Sequence, residues 1–517
     1  MPELNPDARQ VIVVGAGLAG LAAAHRLLER GFHVRLLDAK PFPGGKLGAH
    51  HRNGGWHEHA YHMYLNWYHN FWALMDEIGT RRHFEAMPTI NLINRDRPDR
   101  PVELENFGSL STMCRNMFSG LASPPDMFLY AYSLLDLISH PVCRPRQFDD
   151  TSVYGFMHSR PYMTPGAMRG STRTLAEAFA CPSYLSSARS YRTFVSYGFR
   201  LPSPSMQLLR GNTHDCIFAP WLAHLRNLSG DRFRFEPETK VEQLVVANGR
   251  IAALRVHAPH HGGAGGHAAA PEPIGVDGDL ILAVPPRPLA HLVSYEVAQL
   301  APRLANVHRL HTQSMISLDV YFKRRIPHVP RGVVVLLHSR HKLSFLDQSQ
   351  IWRDWHGGTF LNVVMSDSDT ILGYTPAEIE ALVLGELRHY LRFDPADILR
   401  INIRKNLDEG LFINEVGSWD YRPGARTRIP NLFIAGDFCR TVIDVVTIEG
   451  AVVSGLNAAE AVRRKHGAGA PIRIVRPKTY PTAPLAALAL AELPYAFAAK
   501  ALSVACDVLA GHHRHRP

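Results

Sequence analysis

Residues Trp56 to Asn70, WHEHAYHMYLNWYHN, crowd His57, His59, His62 and His69 and the carboxylate of Glu58 among aromatic rings. Three chemistries compete for such a segment. A metal site wants a regular ligand spacing, such as two histidines four apart on a helix with an acid nearby. Here successive histidines stand two, three and seven positions apart, so no metal is expected. A packed core is the ordinary fate of a ring-rich stretch. The third reading is a pocket wall, in which Glu58 and His62 titrate and can move protons and Tyr64, Trp67 and Tyr68 present apolar surface. His57 and His69 are then bystanders.

What precedes this segment favours the pocket wall. VIVVGAGLAGLAAAHRLLERGFHVRLLDAK runs from a β-branched stretch, Val11 to Val14, through Gly15, Gly17 and Gly20 into an Ala/Leu-rich helix, then to a second apolar stretch ending at Asp38. Strand, glycine turn, helix, strand and acid in this order make a dinucleotide site. Gly15 permits the turn, Gly17 lets backbone approach a pyrophosphate, Gly20 lets helix and strand pack closely, and Asp38 takes a ribose hydroxyl. The phosphates rest on the helix N-terminus, where free N–H groups and the dipole favour negative charge. PFPGGKLGAH then returns a cation, Lys46, behind the flexible pair Gly44 and Gly45, which favours FAD over NAD.

A second half of that site is expected far downstream. PNLFIAGDFCRTVIDVVTIEGAVVSGLNAAEAVRRK reads as a strand over 432–435, a turn at Gly436 and Asp437, and a helix over about 448–464 whose small residues, including Ala451 and Gly455, let its N-terminus approach a ligand. Between the two halves, PETKVEQLVVANGRIAALRV alternates like a hairpin turning at Asn248 and Gly249. The insertion HAPHHGGAGGHAAAPEP, with His260, His261 and His267 irregularly spaced, is expected to be a flexible loop.

The Gly-Gly-Lys turn, the Gly-Asp and Glu-Gly-Ala segments, and the Trp56 to Gly79 stretch together resemble the FAD-dependent carotenoid desaturases of the flavin amine oxidase superfamily, the plant and cyanobacterial phytoene and ζ-carotene desaturases in particular. The resemblance covers most of residues 10 to 465. It implies an α/β fold with an α+β cap: a Rossmann-like FAD domain built discontinuously from residues 1–95, 205–290 and 415–465, with a substrate domain from 96–204 and 291–414. It also implies that Gly436 and Asp437 contact the ribityl-pyrophosphate part of FAD, that Glu449, Gly450 and Ala451 lie under its ring, and that backbone near Val241 touches the adenine. Glu58, His62 and Asp444 fall in ring-proximal motifs and are the candidate proton acceptors. The implied reaction is desaturation of a long isoprenoid by hydride transfer to the flavin N5, with quinone as electron acceptor. Relatives that dehydroxylate or isomerise isoprenoids, and amine oxidases, are the alternatives. The chain departs from the desaturase pattern after Asp437, where it reads Phe-Cys-Arg-Thr, and across residues 100–200, which bears on substrate identity.

Composition narrows the setting. A chain of 517 residues, 46% apolar and 20% charged, exceeds one core and is globular. Its six cysteines include no Cys-x-x-Cys pair, which argues against a disulfide framework and a thiolate zinc site. The polar N-terminus lacks a secretory pattern, so the cytoplasm is expected. A net charge of +10 without a nucleic-acid motif points away from nucleic acid. The tail over 466–517 is apolar but interrupted by Glu492, Pro494, Lys500 and Asp507; it is expected to lie on a membrane surface, as a helical hairpin, or to pack on its own protein or a second copy in a homo-oligomer, and not to span a bilayer.

Overall fold

The computed structural model describes residues 9–514 apart from 53–54, 106–109, 142–145, 170–181, 199–204, 258–271 and 407–409; His260, His261 and His267 of the Gly/His/Ala insertion lie outside the described residues. The chain opens with β1 (Gln10–Val14), α1 (Leu18–Leu28) and β2 (His33–Leu37), makes the hairpin β3 (Ala49–Arg52) and β4 (Gly55–Glu58), and continues through α2 (His69–Glu77), β5 (Thr89–Asn94) and β6 (Arg97–Glu105). Helices α3 (Pro124–Ser139) and α4 (Ala188–Gly198) precede β7 (Phe233–Glu236), β8 (Lys240–Ala247), β9 (Arg250–His257) and β10 (Asp279–Leu282). Then come β11 (Ile316–Phe322), β12 (Val333–Leu337), β13 (Leu343–Asp347), β14 (Phe360–Met365), α5 (Pro376–Leu387), β15 (Ile398–Lys405), β16 (Leu432–Ile434), α6 (Ile448–His466) and α7 (Thr482–Arg514).

β1 is β-branched at four consecutive positions and buried on both faces, the pattern of a strand inside a parallel sheet. The sheet order is β7-β2-β1-β10-β16, all parallel. Alternate residues serve two cores. Val11, Val13 and Ile281 join α1 and α6, while Ile12, Val14 and Leu280 join the β8–β9 hairpin, which turns at Asn248 and Gly249, both at positive φ.

A second sheet, β15-β11-β14-β13-β12-β5-β6, is antiparallel except for the β12–β5 pair. In β11, Ile316, Leu318, Val320 and Phe322 face α5, so Ser317, Asp319 and Tyr321 face the other way, toward the β3–β4 hairpin. Two segment boundaries expected from sequence move. Thr89–Asn94, placed with the nucleotide domain, hydrogen-bonds into the second sheet. Residues 291–310, placed with the substrate domain, bury Leu292, Val297, Leu304 and Val307 in the nucleotide-domain core.

Of the alternatives expected for the tail, the structure shows a helix packed on its own protein and not a hairpin: α7 continues through Pro494 and is long and apolar enough to cross a membrane, with mean hydropathy 1.4 over Thr482–Leu509. One face packs on α3 through Leu485, Leu493, Ala496 and Ala499, pinned by Tyr132 Oη to Ala489 O at 2.8 Å and Ser503 Oγ to Asp126 Oδ1 at 2.7 Å.

Candidate FAD and substrate site

The glycine turn fits a pyrophosphate. A Cβ on Gly20 would lie 1.8 Å from the Gly15 carbonyl oxygen, so only glycine lets α1 start there, whereas a Cβ on Gly17 would meet nothing nearer than Gly45 Cα at 3.7 Å. Gly17 is also the N-cap of α1 and supplies no side-chain acceptor, which leaves first-turn N–H groups for an anion. This open backbone cradle at the end of β1 is what an FAD pyrophosphate requires, and the residues around it fit the cofactor.

Asp38 ends β2 beside the cradle. Its Oδ2 accepts the Ala16 N–H at 2.6 Å and its Oδ1 the Lys40 N–H at 2.8 Å, which fixes the carboxylate with acceptor capacity left for a ribose. Burial raises its pKa against those bonds. The backbone of Thr239 donates to Asp38 O at 2.7 Å, so the start of β8, with Val241 after it, runs beside the same acid. The Val241 side chain points into the core, leaving its backbone as the part available to a ligand.

The two halves of the motif meet. Gly44 donates to Ala16 O at 2.8 Å, and Lys46 Nζ lies 2.8 Å from Asp437 Oδ2 across 391 residues. Gly436 in turn donates to Ser454 Oγ at 2.8 Å, so the Gly-Asp turn is seated on the small-residue face of α6. Thr447 caps α6 by accepting the Gly450 N–H at 3.1 Å, and Ala451 follows in the first turn.

Two candidates are committed elsewhere. The Glu449 carboxylate is fully buried and accepts the Asn70 and Phe71 N–H groups, both at 2.9 Å, and Asn70 Nδ2 at 2.6 Å. It caps α2, so only its backbone remains for a cofactor; burial pushes its pKa up to about 7 despite these donors. Asp444, at φ 57, binds Arg422 Nη1 at 2.7 Å through Oδ1 and Arg189 Nε at 3.1 Å through Oδ2. Both oxygens are held by guanidinium groups, and Asp444 anchors its loop instead of standing free as a base.

The aromatic segment is both core and wall. Tyr64 stacks on Phe71 with ring centroids 5.5 Å apart, Trp67 meets Tyr68 at 4.6 Å and Tyr197 at 5.0 Å, and all three of Tyr64, Trp67 and Tyr68 are buried. Yet Tyr64 Oη, Trp67 Nε1 and His62 Nδ1 are buried without a hydrogen-bond partner, which a sealed core seldom tolerates and a ligand-facing wall explains. Glu58 accepts the Thr213 N–H at 2.7 Å; desolvation, reinforced by the charge of Asp319, pushes its pKa up to about 8. Desolvation drives His62 down to about 4. At neutral pH the acid is protonated and the imidazole uncharged.

His57, expected to be a bystander, is not one. Its Nδ1 lies 3.0 Å from Asp319 Oδ2, and Asn362 Nδ2 donates to Asp319 Oδ1 at 2.7 Å. Asp319 is paired in register with Asn362 on one side and Asn402 on the other, a polar row across three strands that meets the β3–β4 hairpin. A lone acid inside ISLDVYF and a lone amide inside FLNVVM were the sequence signal for it. His69 is exposed, as expected. Among the described residues, a group spaced for a metal is His25, Glu29 and Glu77 on the far side of α1, where Arg26 already pairs with both carboxylates, at 2.7 and 2.8 Å.

Residues 13–78 match the NAD(P)-binding Rossmann-like domain, and residues 239–463 match the flavin containing amine oxidoreductases. The 15-cis-phytoene desaturase of Narcissus pseudonarcissus is 21% identical over 485 residues, covering 88% of this chain and 79% of the relative. In Synechococcus elongatus, a 15-cis-phytoene desaturase is 22% identical and a probable zeta-carotene desaturase 23%, each over 88% of this chain and covering 95% and 98% of those proteins. Among solved structures, cyclohexylamine oxidase from Brevibacterium oxydans superposes with a TM-score of 0.62 at 15% identity, over 89% of this chain and 100% of that one. An oxidoreductase from Methanosarcina mazei gives 0.60 at 15%, over 86% and 99%. Cradle, acid and returning cation agree with these matches: the chain is an FAD-dependent oxidoreductase, similar to the flavin containing amine oxidoreductases and, along most of its length, to the carotenoid desaturases.

Proposed function

We propose that this chain introduces a carbon–carbon double bond into a long isoprenoid of the carotenoid class. The observation that carries the reading is the uncharged wall: a protonated Glu58 and a neutral His62 beside Tyr64, Trp67 and Tyr68 suit an apolar chain and offer an amine cation no counter-charge. Similarity to phytoene and zeta-carotene desaturases along 88% of the chain supports the same class.

FAD supplies the hydride acceptor. The chain's own residues bind the substrate, align it and exclude water, which is most of what such a reaction asks of a protein. Of the three candidate proton acceptors, Asp444 is held by two arginines and Glu58 already carries its proton. The unpartnered Nδ1 of His62 supports that residue as the acceptor, though only for a transient transfer, since burial holds its pKa down to about 4. The protonated Glu58 also favours a second reading, a redox-neutral dehydroxylation in which Glu58 donates its proton to a leaving hydroxyl, water departs, and the adjacent carbon gives up a proton so that a double bond forms.

A substrate this apolar resides in a bilayer, so the enzyme works peripherally on a membrane, with a membrane quinone as electron acceptor. The test is anaerobic flavin absorbance with the purified holoenzyme and phytoene or ζ-carotene in liposomes. Bleaching with a matching gain in conjugation supports desaturation; unchanged flavin with loss of hydroxyl from a hydroxylated isoprenoid supports the second reading.

A further inference from the structure

The first turn of α7 forms the rim of a cavity of ≈ 80 Å3 whose lining includes none of the residues assigned above to FAD. Its walls include Arg192, Thr193, Ser196 and Tyr197 from α4, Arg476 from the connection after α6, and Thr482 from α7. Two guanidinium groups border it and no carboxylate does. Neither arginine is in an ion pair among the described residues. Arg192 is fixed by Nη2 donating to Ile138 O at 3.1 Å and His140 O at 2.7 Å, the C-terminal carbonyls of α3, while its Nε is buried with no partner. The Arg476 side chain hydrogen-bonds Tyr197, whose hydroxyl donates onward to Val442 O at 3.2 Å.

Such a cavity is built for an anion. Leaving the Arg192 Nε–H buried without an acceptor is unfavourable, and an oxyanion bound between it and the exposed Arg476 removes the penalty. The α7 N-terminus adds N–H groups and a dipole of the same sign. The volume is several times what one water needs, enough for a tetrahedral oxyanion and far too small for an isoprenoid.

The rest of α7 says where that anion resides. Beyond the face packed on α3, the helix exposes Leu490 (72%), Tyr495 (64%), Leu502 (60%), Val508 (54%) and Leu509 (65%). A helix held along one side and apolar along the other lies in an interface, with its apolar face at the acyl boundary and its root at the level of the headgroups. We propose that the cavity between Arg192 and Arg476 holds the phosphate of an anionic phospholipid headgroup and orients the enzyme on the membrane from which it draws its substrate. This rests on the isoprenoid reading above.

The test is vesicle flotation of the FAD-loaded full-length chain, with phosphatidylcholine vesicles against vesicles containing one fifth phosphatidylglycerol. The expected result is preference for the anionic vesicles, falling about fivefold for each arginine removed. Because Arg192 also caps α3, its loss can disturb folding; Arg476→Gln and Thr479→Glu, at exposed cavity-lining residues, carry the decision. Loss of the preference in both variants, with binding to neutral vesicles retained, supports the site. An unchanged preference overturns it, as does absence of binding to either composition. Binding of inorganic phosphate that Arg476→Gln abolishes, without any vesicle preference, assigns the cavity to a free anion and overturns the lipid assignment. Flavin bleaching with substrate in detergent micelles scores the isoprenoid reading separately, so the two can fail independently.

Discussion

Lys46 Nζ and Asp437 Oδ2 stand 2.8 Å apart, although one follows the first strand pair and the other lies at the last turn before α6. The contact closes the nucleotide domain, since Lys46 belongs to the Gly-Gly-Lys turn packed on Gly17, and Asp437 to the turn seated on Ser454. Both side chains are partly buried, at 20% and 16% exposed, so the pair is better shielded from solvent than a surface salt bridge. It forms where two parts of the chain must meet to enclose one elongated cofactor.

Replacing either partner loosens that enclosure. Lys46→Met and Asp437→Asn are each expected to weaken FAD binding by about tenfold, the equivalent of one hydrogen bond to a charged group. Flavin fluorescence titration of the apoprotein measures it. Equal losses in the single variants and no further loss in the double variant identify the pair as one unit; full additivity would show that each residue meets the cofactor separately.

Glu58 makes stability depend on pH. Its folded pKa of about 8 lies above its unfolded value of about 4.5, so the folded state binds the extra proton. Stability is therefore highest below the unfolded value, declines as pH rises from about 4.5 to 8, and is flat beyond, with a total change of a few kcal/mol. Glu58→Gln, which cannot ionise, is expected to flatten this slope and to gain stability relative to the parent chain at pH 8 to 9. Urea unfolding at pH 5, 7 and 9 measures it. Glu449, shifted in the same direction to about 7, supplies the slope that remains.

The parts legible in the sequence are those governed by local backbone demands. A strand of β-branched residues, a glycine turn and a following acid leave the chain few options, so Gly17, Asp38 and the α6 segment were found where they lie. Side chains whose roles depend on distant strands were not legible. Glu449 sits in a cofactor motif, yet its carboxylate is drawn to the uncapped N-terminus of α2 by three donors that only the folded chain brings near. His57 reads as one histidine among four until Asp319, 262 residues away, comes within hydrogen-bonding distance. For the tail the sequence left a hairpin and a packed helix open, and it is packing on α3 that holds α7 continuous through Pro494.

Asp319 welds the second sheet to the β3–β4 hairpin, and both it and His57 are buried. Asp319→Ala leaves the His57 ring and the Asn362 amide without their shared acceptor and is expected to destabilise the fold by about 3–5 kcal/mol. Asp319→Asn, which keeps the shape and part of the hydrogen bonding, is expected to lose less than half of that. Chemical denaturation of the two variants decides, and equal losses would show that the charge of Asp319, not the connectivity of the network, carries the stability.

Tyr64 tests whether the aromatic segment faces a ligand. Its buried hydroxyl has no protein partner, so Tyr64→Phe removes a polar group that the apoprotein leaves unsatisfied, and the apoprotein is expected to gain up to about 1 kcal/mol. If the hydroxyl instead meets a ligand, the FAD-loaded and substrate-loaded protein loses that gain. Melting temperatures of parent and variant, with and without FAD and with substrate in detergent, separate the cases. A gain that persists under every loading would return Tyr64 to the core and remove it from the wall.

The exposed face of α7 is the last element whose role can be separated from folding. Leu490, Leu502 and Leu509 are each at least 60% exposed, so serine at these positions sacrifices little native packing and is expected to change stability by less than about 1 kcal/mol. In a bilayer interface the same three side chains gain burial on binding, and burying a leucine fully is worth about 1.5–3 kcal/mol. The triple variant is therefore expected to bind phosphatidylcholine vesicles at least about tenfold more weakly and to lose turnover on vesicle-borne substrate, while retaining turnover on substrate in detergent micelles. Equal loss in both assays would mean that α7 supports the active site through α3. No loss in either would leave membrane docking to another surface and make this face a contact for a second copy, which sedimentation of the parent chain would then reveal as a dimer.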